Sequence, residues 1–162
     1  MSVAKDIFAT YRGPGAVIER LVSGPPREDR AIAILMGACV LLFVAQLPAL
    51  SRDAHETGED LQMLMGGALL GVVFFAPLLF YAIAAISHLI AKLFGGQGTH
   101  WQARMTLFWA LLASSPLTLL NGLVAGFVGE SLQLTVVGAL WFGVFLWFWI
   151  SGLIRAEKRG SA

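Results

Sequence analysis

Charged residues are scarce in this chain of 162 residues. Only 13% of its residues are Asp, Glu, Lys or Arg, and 57% are hydrophobic. An ordinary soluble domain carries about 25% charged and about 45–50% apolar residues. A water-soluble fold of this length could not bury so much apolar surface, so the composition predicts an integral membrane protein.

Two further absences narrow the function. A single cysteine, Cys39, excludes a disulfide framework within the chain and any Cys-rich zinc or iron–sulfur site. The interiors of the long apolar stretches contain no Asp, Glu, Lys or Arg. Proton relays and ion pathways usually need such residues, which argues against a proton-coupled or charged-substrate transporter. A path for a neutral solute stays open.

Four apolar stretches are long enough to cross a bilayer as helices, which takes about 20 residues. Each is continuous, whereas barrel strands would alternate over segments of about 10 residues. The fold class expected is therefore an all-α membrane protein, a bundle of four transmembrane helices preceded by short interfacial amphipathic helices. The predicted spans are about 31–50, 64–92, 104–128 and 132–154.

The first 30 residues predict two short amphipathic helices separated by Gly13-Pro14. The first is indicated by apolar residues at helical spacing: Val3, Ile7, Phe8 and Tyr11. The second is indicated by Val17, Ile18, Leu21 and Val22. These helices either lie on the membrane surface, with Arg12, Arg20, Arg27 and Arg30 at anionic lipid headgroups, or fold over the bundle as a cap. The two arrangements are compatible.

Charge asymmetry predicts the orientation. Ten of the eleven Lys and Arg residues flank the apolar stretches on one side, and Arg52 alone lies on the other. The positive-inside rule then puts both termini in the cytoplasm. The expected organisation is a cytoplasmic amphipathic segment over 1–30, a transmembrane domain over 31–154 and a cytoplasmic basic tail over 155–162. Abundant Arg and short loops favour a bacterial inner (cytoplasmic) membrane.

Small and polar residues within the spans are the candidate site residues. The helix-packing candidates are two GxxxG pairs, Gly67 with Gly71 and Gly122 with Gly126. They serve contacts within the chain or between copies of it. The candidates for interhelical polar contacts are Gln46, His88, Ser114, Ser115 and Asn121. Pro77 and Pro116 predict helix kinks.

Three sequence patterns could indicate a chemical site, but each is better explained without one. The loop over residues 95–99 is rich in glycine but lacks phosphate-loop spacing, and indicates a tight turn. Ser87 and His88 lack the other parts of a hydrolytic site. His55 and Glu59 could share a metal only if their loop were helical. We therefore expect no enzyme activity, no cofactor, no metal and no nucleic-acid partner.

Four phrases together resemble the YIP1 family of multi-pass membrane proteins, in its short bacterial form. The first is the amphipathic stretch that begins with Tyr11-Arg12-Gly13-Pro14 and ends with Gly24-Pro25-Pro26. The other three are Arg27-Glu28-Asp29-Arg30-Ala31, Leu93-Phe94-Gly95-Gly96-Gln97-Gly98-Thr99 and Ser114-Ser115-Pro116. The family is often drawn with five spans, whereas four are counted here. The resemblance supplies no catalytic residues. Eukaryotic relatives act in vesicle traffic with small GTPases, but the resemblance does not imply that role for this chain because it lies in the membrane core and not in a partner surface.

Two functions are expected from these observations. The first is a non-enzymatic scaffold or organiser that contacts lipids and other membrane proteins, or a second copy of itself. The second is a small transporter or channel subunit for a neutral or lipid-like solute. That alternative needs a continuous polar path near Gln46, Ser114, Ser115 and Asn121.

Overall fold

The computed structural model describes residues 2–159, apart from the side chain of Arg159. Every regular element in this range is helical, which confirms the all-α expectation. The helices are α1 (Val3–Arg12), α2 (Pro14–Val22), α3 (Glu28–Thr57), α4 (Leu61–Leu69), a π-helical segment (Leu70–Phe75), α5 (Ala76–Leu93), α6 (His100–Ala113), α7 (Ser115–Phe127) and α8 (Leu132–Arg159).

Three helical runs are long and apolar enough to cross a membrane: Glu28–Thr57, Leu61–Leu93 and Leu132–Lys158. A fourth span is possible in α6 and α7, which pass the same test together but are bent by 45°. The described residues thus carry three to four candidate spans. The first predicted span corresponds to α3, which extends beyond the predicted end at residue 50. It continues to Thr57 and is terminated at Gly58, whose φ of 74° is left-handed.

Prolines lie at or near the irregular points of these helices. A π-helical segment ends immediately before α5, and Pro77 occupies the first turn of α5. The bend between α6 and α7 lies at Ser114, and Pro116 follows in the first turn of α7, where its missing N–H is not needed for a helical hydrogen bond. Pro48, which the sequence analysis did not single out, lies inside α3.

The centre of the bundle is α6, which begins at a Thr99–Gln102 capping box. Eleven of its 14 residues are buried, and it packs against α2, α3, α5 and α8. By contrast, only 6% of the most apolar window in Leu61–Leu93 is buried. Of the three long runs, the most apolar one is therefore the least buried, and much of its surface faces outward.

The second amphipathic helix docks on the bundle. All four apolar residues predicted for its face (Val17, Ile18, Leu21 and Val22) are buried, and α2 packs against α6 and α8. A Cβ atom added at Gly152 of α8 would lie 3.3 Å from Thr106 Cβ and closer still to the Ile18 side chain. The glycine therefore lets α2 approach the bundle closely. In α1, Val3 and Phe8 stay exposed.

Candidate functional site at the terminal end of the bundle

Two long-range contacts bring both ends of the chain to one end of the bundle. The backbone N–H of Gly98 donates to Glu157 Oε2 over 2.7 Å, and Arg155 Nη1 lies 3.3 Å from Glu19 Oε2. The N-terminal helices, the loop between α5 and α6 and the end of α8 therefore meet there. We name this region the terminal end, and the opposite region, with the turns after α3 and α7, the far end.

A buried hydrogen-bond chain attaches α1 to the central helix. Trp109 Nε1 donates to Thr10 Oγ1 over 3.0 Å, and Thr10 Oγ1 donates to the Asp6 carbonyl over 2.7 Å. The Tyr11 ring packs edge-on against Phe148, with centroids 5.0 Å apart. Burial raises the pKa of the Tyr11 hydroxyl, which therefore stays protonated at neutral pH.

Ion pairs then connect the terminal elements to one another. Arg20 of α2 pairs with the largely buried carboxylate of Asp6 in α1. Arg104 of α6 pairs with Glu28 at the start of α3, and its guanidinium lies 5.8 Å from the centroid of the Tyr81 ring. From the sequence alone, Arg20 is expected at lipid headgroups and Arg104 counts only toward the charge asymmetry, because their partners lie 14 and 76 positions away along the chain.

A cleft of about 870 Å³ opens beside this chain of contacts, between α1, α3 and α6. Most of its lining is apolar, with Arg30 and Asp6 as its charged members. Its lining residues are Val3, Asp6, Arg30, Ala33, Ile34, Gly37, Val40, Leu41, Trp109 and Leu112. We name it the α1–α3 cleft. No feature of the sequence by itself indicated it, because three separate segments form it.

The two GxxxG pairs have different surroundings. A Cβ added at Gly122 would lie 2.7 Å from the carbonyl carbon of Ala45, and one added at Gly126 would lie 2.7 Å from that of Pro48. This second pair therefore provides the close contact between α7 and α3. A Cβ added at Gly67 or Gly71 would meet nothing within 4 Å. The first pair is open on the outward face of the bundle.

Among the described residues, no side-chain hydrogen bond joins two of the polar candidates Gln46, Ser114, Ser115 and Asn121. Ser114 and Ser115 are buried, and Ser114 Oγ donates to the Leu111 carbonyl in the last turn of α6 over 3.0 Å. Asn121 Oδ1 is buried without a hydrogen-bond partner among the described residues. Gln46 is half-buried. Across residues 2–159, the five clefts that stand out are lined by none of these four residues.

His88 is buried against His100, with ring centroids 3.9 Å apart. Its Nδ1 has no hydrogen-bond partner within the described part of the chain. The neighbouring Ser87 donates to the Ala84 carbonyl over 2.9 Å, a bond within its own helix. The Ser87 hydroxyl is therefore engaged by the backbone rather than by the imidazole.

No group of three or more His, Cys, Asp or Glu side chains suited to a metal ion occurs among the described residues. His55 lies in the last turn of α3, whereas Glu59 follows the helix end at Gly58. The two residues thus do not share a helical face, which was the condition for a metal site there.

The glycine-rich loop packs on the end of α8. A Cβ added at Gly98 would lie 2.9 Å from the Glu157 carboxylate, and one at Gly96 would lie 2.8 Å from the Ala91 carbonyl oxygen. Gly95 has a left-handed φ of 84°. The loop is therefore a tight turn that receives a carboxylate from the same chain. The glycines of this loop predict the turn, but nothing in the local sequence indicates Glu157 as its partner.

Similarity to a known protein family identifies the family of this chain. The model of the Yip1 domain matches residues 8–162, which is nearly the whole chain. The chain belongs to the Yip1 family. The resemblance to this family is thereby confirmed, and the protein is a membrane protein of a family not known as enzymatic. No curated protein and no solved structure gives a significant match to this sequence.

Proposed function

We propose that this Yip1-family protein is a non-enzymatic scaffold in the bacterial inner membrane that contacts lipids and binds other membrane proteins through the outward face of Leu61–Leu93. The observation that supports the proposal is the exposure of this helical run. Only 6% of its most apolar window is buried. The protein has four spans in this proposal, with α6 and α7 as one bent span and both termini in the cytoplasm.

Charge supports the orientation. Arg20, Arg104 and Arg155 belong to contacts at the terminal end. At the far end, Arg52 pairs with Glu56 over 2.8 Å and donates to the Gly126 carbonyl over 3.4 Å. Five of the ten acidic residues lie near this end, against one of the eleven Lys and Arg residues. The five are Asp53, Glu56, Glu59, Asp60 and Glu130. Positive flanks stay in the cytoplasm, so the terminal end is cytoplasmic.

Fusion of topology reporters to each end of the full chain tests this orientation. A phosphatase active only outside the cytoplasm is expected to be inactive at both ends, while a fluorescent protein that folds only inside is expected to fluoresce at both. Fusion of the phosphatase after Gly58 in the far-end turn is the positive control. Opposite results at the two ends would contradict an even number of spans.

The small residues on the outward helix support a partner helix. Without a hydrophobic force between helices in lipid, close packing at small residues drives their association. Gly67 and Gly71 have open space at their Cβ positions, and Leu70 and Phe74 are exposed nearby. This surface offers a groove for another helix, while the second GxxxG pair is already occupied by α3.

Crosslinking in the native membrane tests the partner surface. A photocrosslinking residue at Leu70 is expected to capture a membrane protein or a second copy, and Gly67→Leu is expected to lower the yield at least about tenfold, because the new side chain holds the partner away. Gly143→Leu is the matched control, since its Cβ would also meet nothing within 4 Å.

Two outcomes would contradict the scaffold. One is capture of lipid alone, with equal yields in both variants. The other is uptake of a neutral solute by liposomes that contain the purified chain and its abolition by Asn121→Leu. Transport is the second candidate function, and it is favoured by the unpartnered Asn121 Oδ1.

A further inference from the structure

We propose that the α1–α3 cleft binds one anionic phospholipid, with an acyl chain along α3 and the phosphate at Arg30. This inference goes beyond the scaffold role and would hold for a transporter as well. It rests only on the membrane placement of α3. Nothing in the sequence comparison assigns a lipid to this surface.

The length of the cleft fits one leaflet. Its lining on α3 runs from Arg30 to Leu41. At about 1.5 Å per residue this is roughly 16 Å, close to half of a hydrocarbon core of about 30 Å. The stretch begins at the flank of the first span and ends near its middle. An acyl chain anchored at the membrane surface would follow the same path.

The floor of the cleft is open. A Cβ added at Gly37 would meet nothing within 4 Å, and Val40 is 49% exposed. The walls come from Val3 of α1 and from Trp109 and Leu112 of α6. Because Trp109 donates to Thr10, the wall formed by α1 is held in place by a buried hydrogen bond. An apolar trough with fixed walls suits a flexible hydrocarbon chain.

The charges at the cleft favour an anionic headgroup. Asp6 lines the cleft, but its carboxylate is paired with Arg20. Arg27 is 3.1 Å from Asp29, so its charge is compensated. Arg30 is exposed, and its side chain forms no hydrogen bond or ion pair with any residue the structure describes. Its guanidinium is therefore available for a phosphate, which it can bind with two parallel hydrogen bonds.

Lipid is the occupant that these features select. The cleft begins at a free cation, continues over apolar side chains of a predicted span and has the length of one leaflet. A partner helix fits less well, because the cleft has charged groups at one end and extends along α3 for only about one leaflet. Water alone would leave the apolar lining exposed at the depth of the hydrocarbon, which is unfavourable.

Native mass spectrometry of the full chain in detergent tests the site. The probes are phosphatidylglycerol and phosphatidylcholine with identical acyl chains. The unaltered protein is expected to bind one phosphatidylglycerol about fivefold more tightly than phosphatidylcholine, the preference one arginine near an anionic headgroup provides. Arg30→Gln is expected to abolish this preference, and Arg30→Lys to keep most of it. The double variant Arg27→Gln/Asp29→Asn removes a neighbouring ion pair without changing the net charge, and as the control it is expected to leave the preference unchanged.

Filling the trough tests the acyl-chain site separately. Gly37→Leu is expected to weaken binding of both lipids at least about tenfold, because leucine occupies the floor. Gly143→Leu, on α8, is the matched control. If Gly37→Leu fails to fold, Val40→Phe replaces it, since an exposed position tolerates a larger residue.

Three results would overturn the proposal. The first is equal affinity of the unaltered protein for both lipids. The second is unchanged binding in Gly37→Leu or Val40→Phe. The third is a dimer that Gly37→Leu dissociates while lipid binding persists, which would make a second copy the occupant. The crosslinking yield at Leu70 is independent of these readouts, so failure of the lipid site and failure of the scaffold role are distinguishable.

Discussion

Replacement of Gly122 by alanine is expected to lower the free energy of unfolding by about 3 kcal/mol. The added methyl group would lie 2.7 Å from the carbonyl carbon of Ala45 and closer still to its oxygen. Because the neighbour is helical backbone, no rotamer change relieves the overlap. The helices α3 and α7 must move apart, and contacts along their shared interface are lost. Equilibrium unfolding in mixed micelles measures the change.

Gly67→Ala is the matched control for this prediction. It occupies the first position of the other GxxxG pair, and its new methyl group would meet nothing within 4 Å. Alanine has the higher intrinsic helix propensity, so this variant is expected to be unchanged or more stable by up to about 1 kcal/mol. Equal destabilisation in the two variants would contradict the packing of α7 on α3.

The contrast between these two pairs marks a limit of sequence-based prediction. Both have the same spacing inside apolar stretches, so the motif predicts close approach in each case. Which pair meets another helix of the same chain depends on the order of helices around α6. Hydropathy identifies the apolar helices but does not predict which of them are neighbours. Leu61–Leu93 is more apolar than Glu28–Thr57 although less of it is buried, because lipid and protein interiors accept the same side chains.

The existence of apolar helices and the family could be predicted, because long uncharged runs and short local phrases are properties of contiguous residues. The bend between α6 and α7 lies near Pro116, at which the sequence predicts a kink because proline cannot continue the helical hydrogen-bond pattern. The end of α3 was harder to predict, because residues 51–57 are polar yet stay helical until Gly58.

The candidate site was less predictable. Its contacts join residues far apart in sequence, such as Arg104 with Glu28, 76 positions away, and Arg155 with Glu19, 136 positions away. No local pattern encodes such pairs. The amphipathic face of α2 was evident from Val17, Ile18 and Leu21, but an apolar face does not reveal whether lipid or protein covers it.

Replacement of Ile18 by glutamate is expected to release α1 and α2 from the bundle. Ile18 is fully buried between α6 and α8, and an unpaired carboxylate there costs about 3–5 kcal/mol. The N-terminal helices avoid this cost by leaving their site. Trypsin cleavage after Arg12 and Arg20 of the folded, detergent-solubilised chain is expected to accelerate at least about 100-fold, the factor that corresponds to about 3 kcal/mol.

Phe8→Glu is the control that separates docking on protein from docking on lipid. Phe8 is 75% exposed, so glutamate there disturbs no contact with the bundle, and in micelles cleavage is expected to stay within about twofold of the unaltered chain. If lipid or detergent, rather than protein, covered the apolar face of α2, each substitution would weaken the contact of the N-terminal helices with that apolar phase. Both would then accelerate cleavage by a similar factor. A difference between them therefore requires protein against Ile18. In that case α1 is held as one wall of the α1–α3 cleft, and Ile18→Glu is also expected to weaken phosphatidylglycerol binding without any change at Arg30 or Gly37.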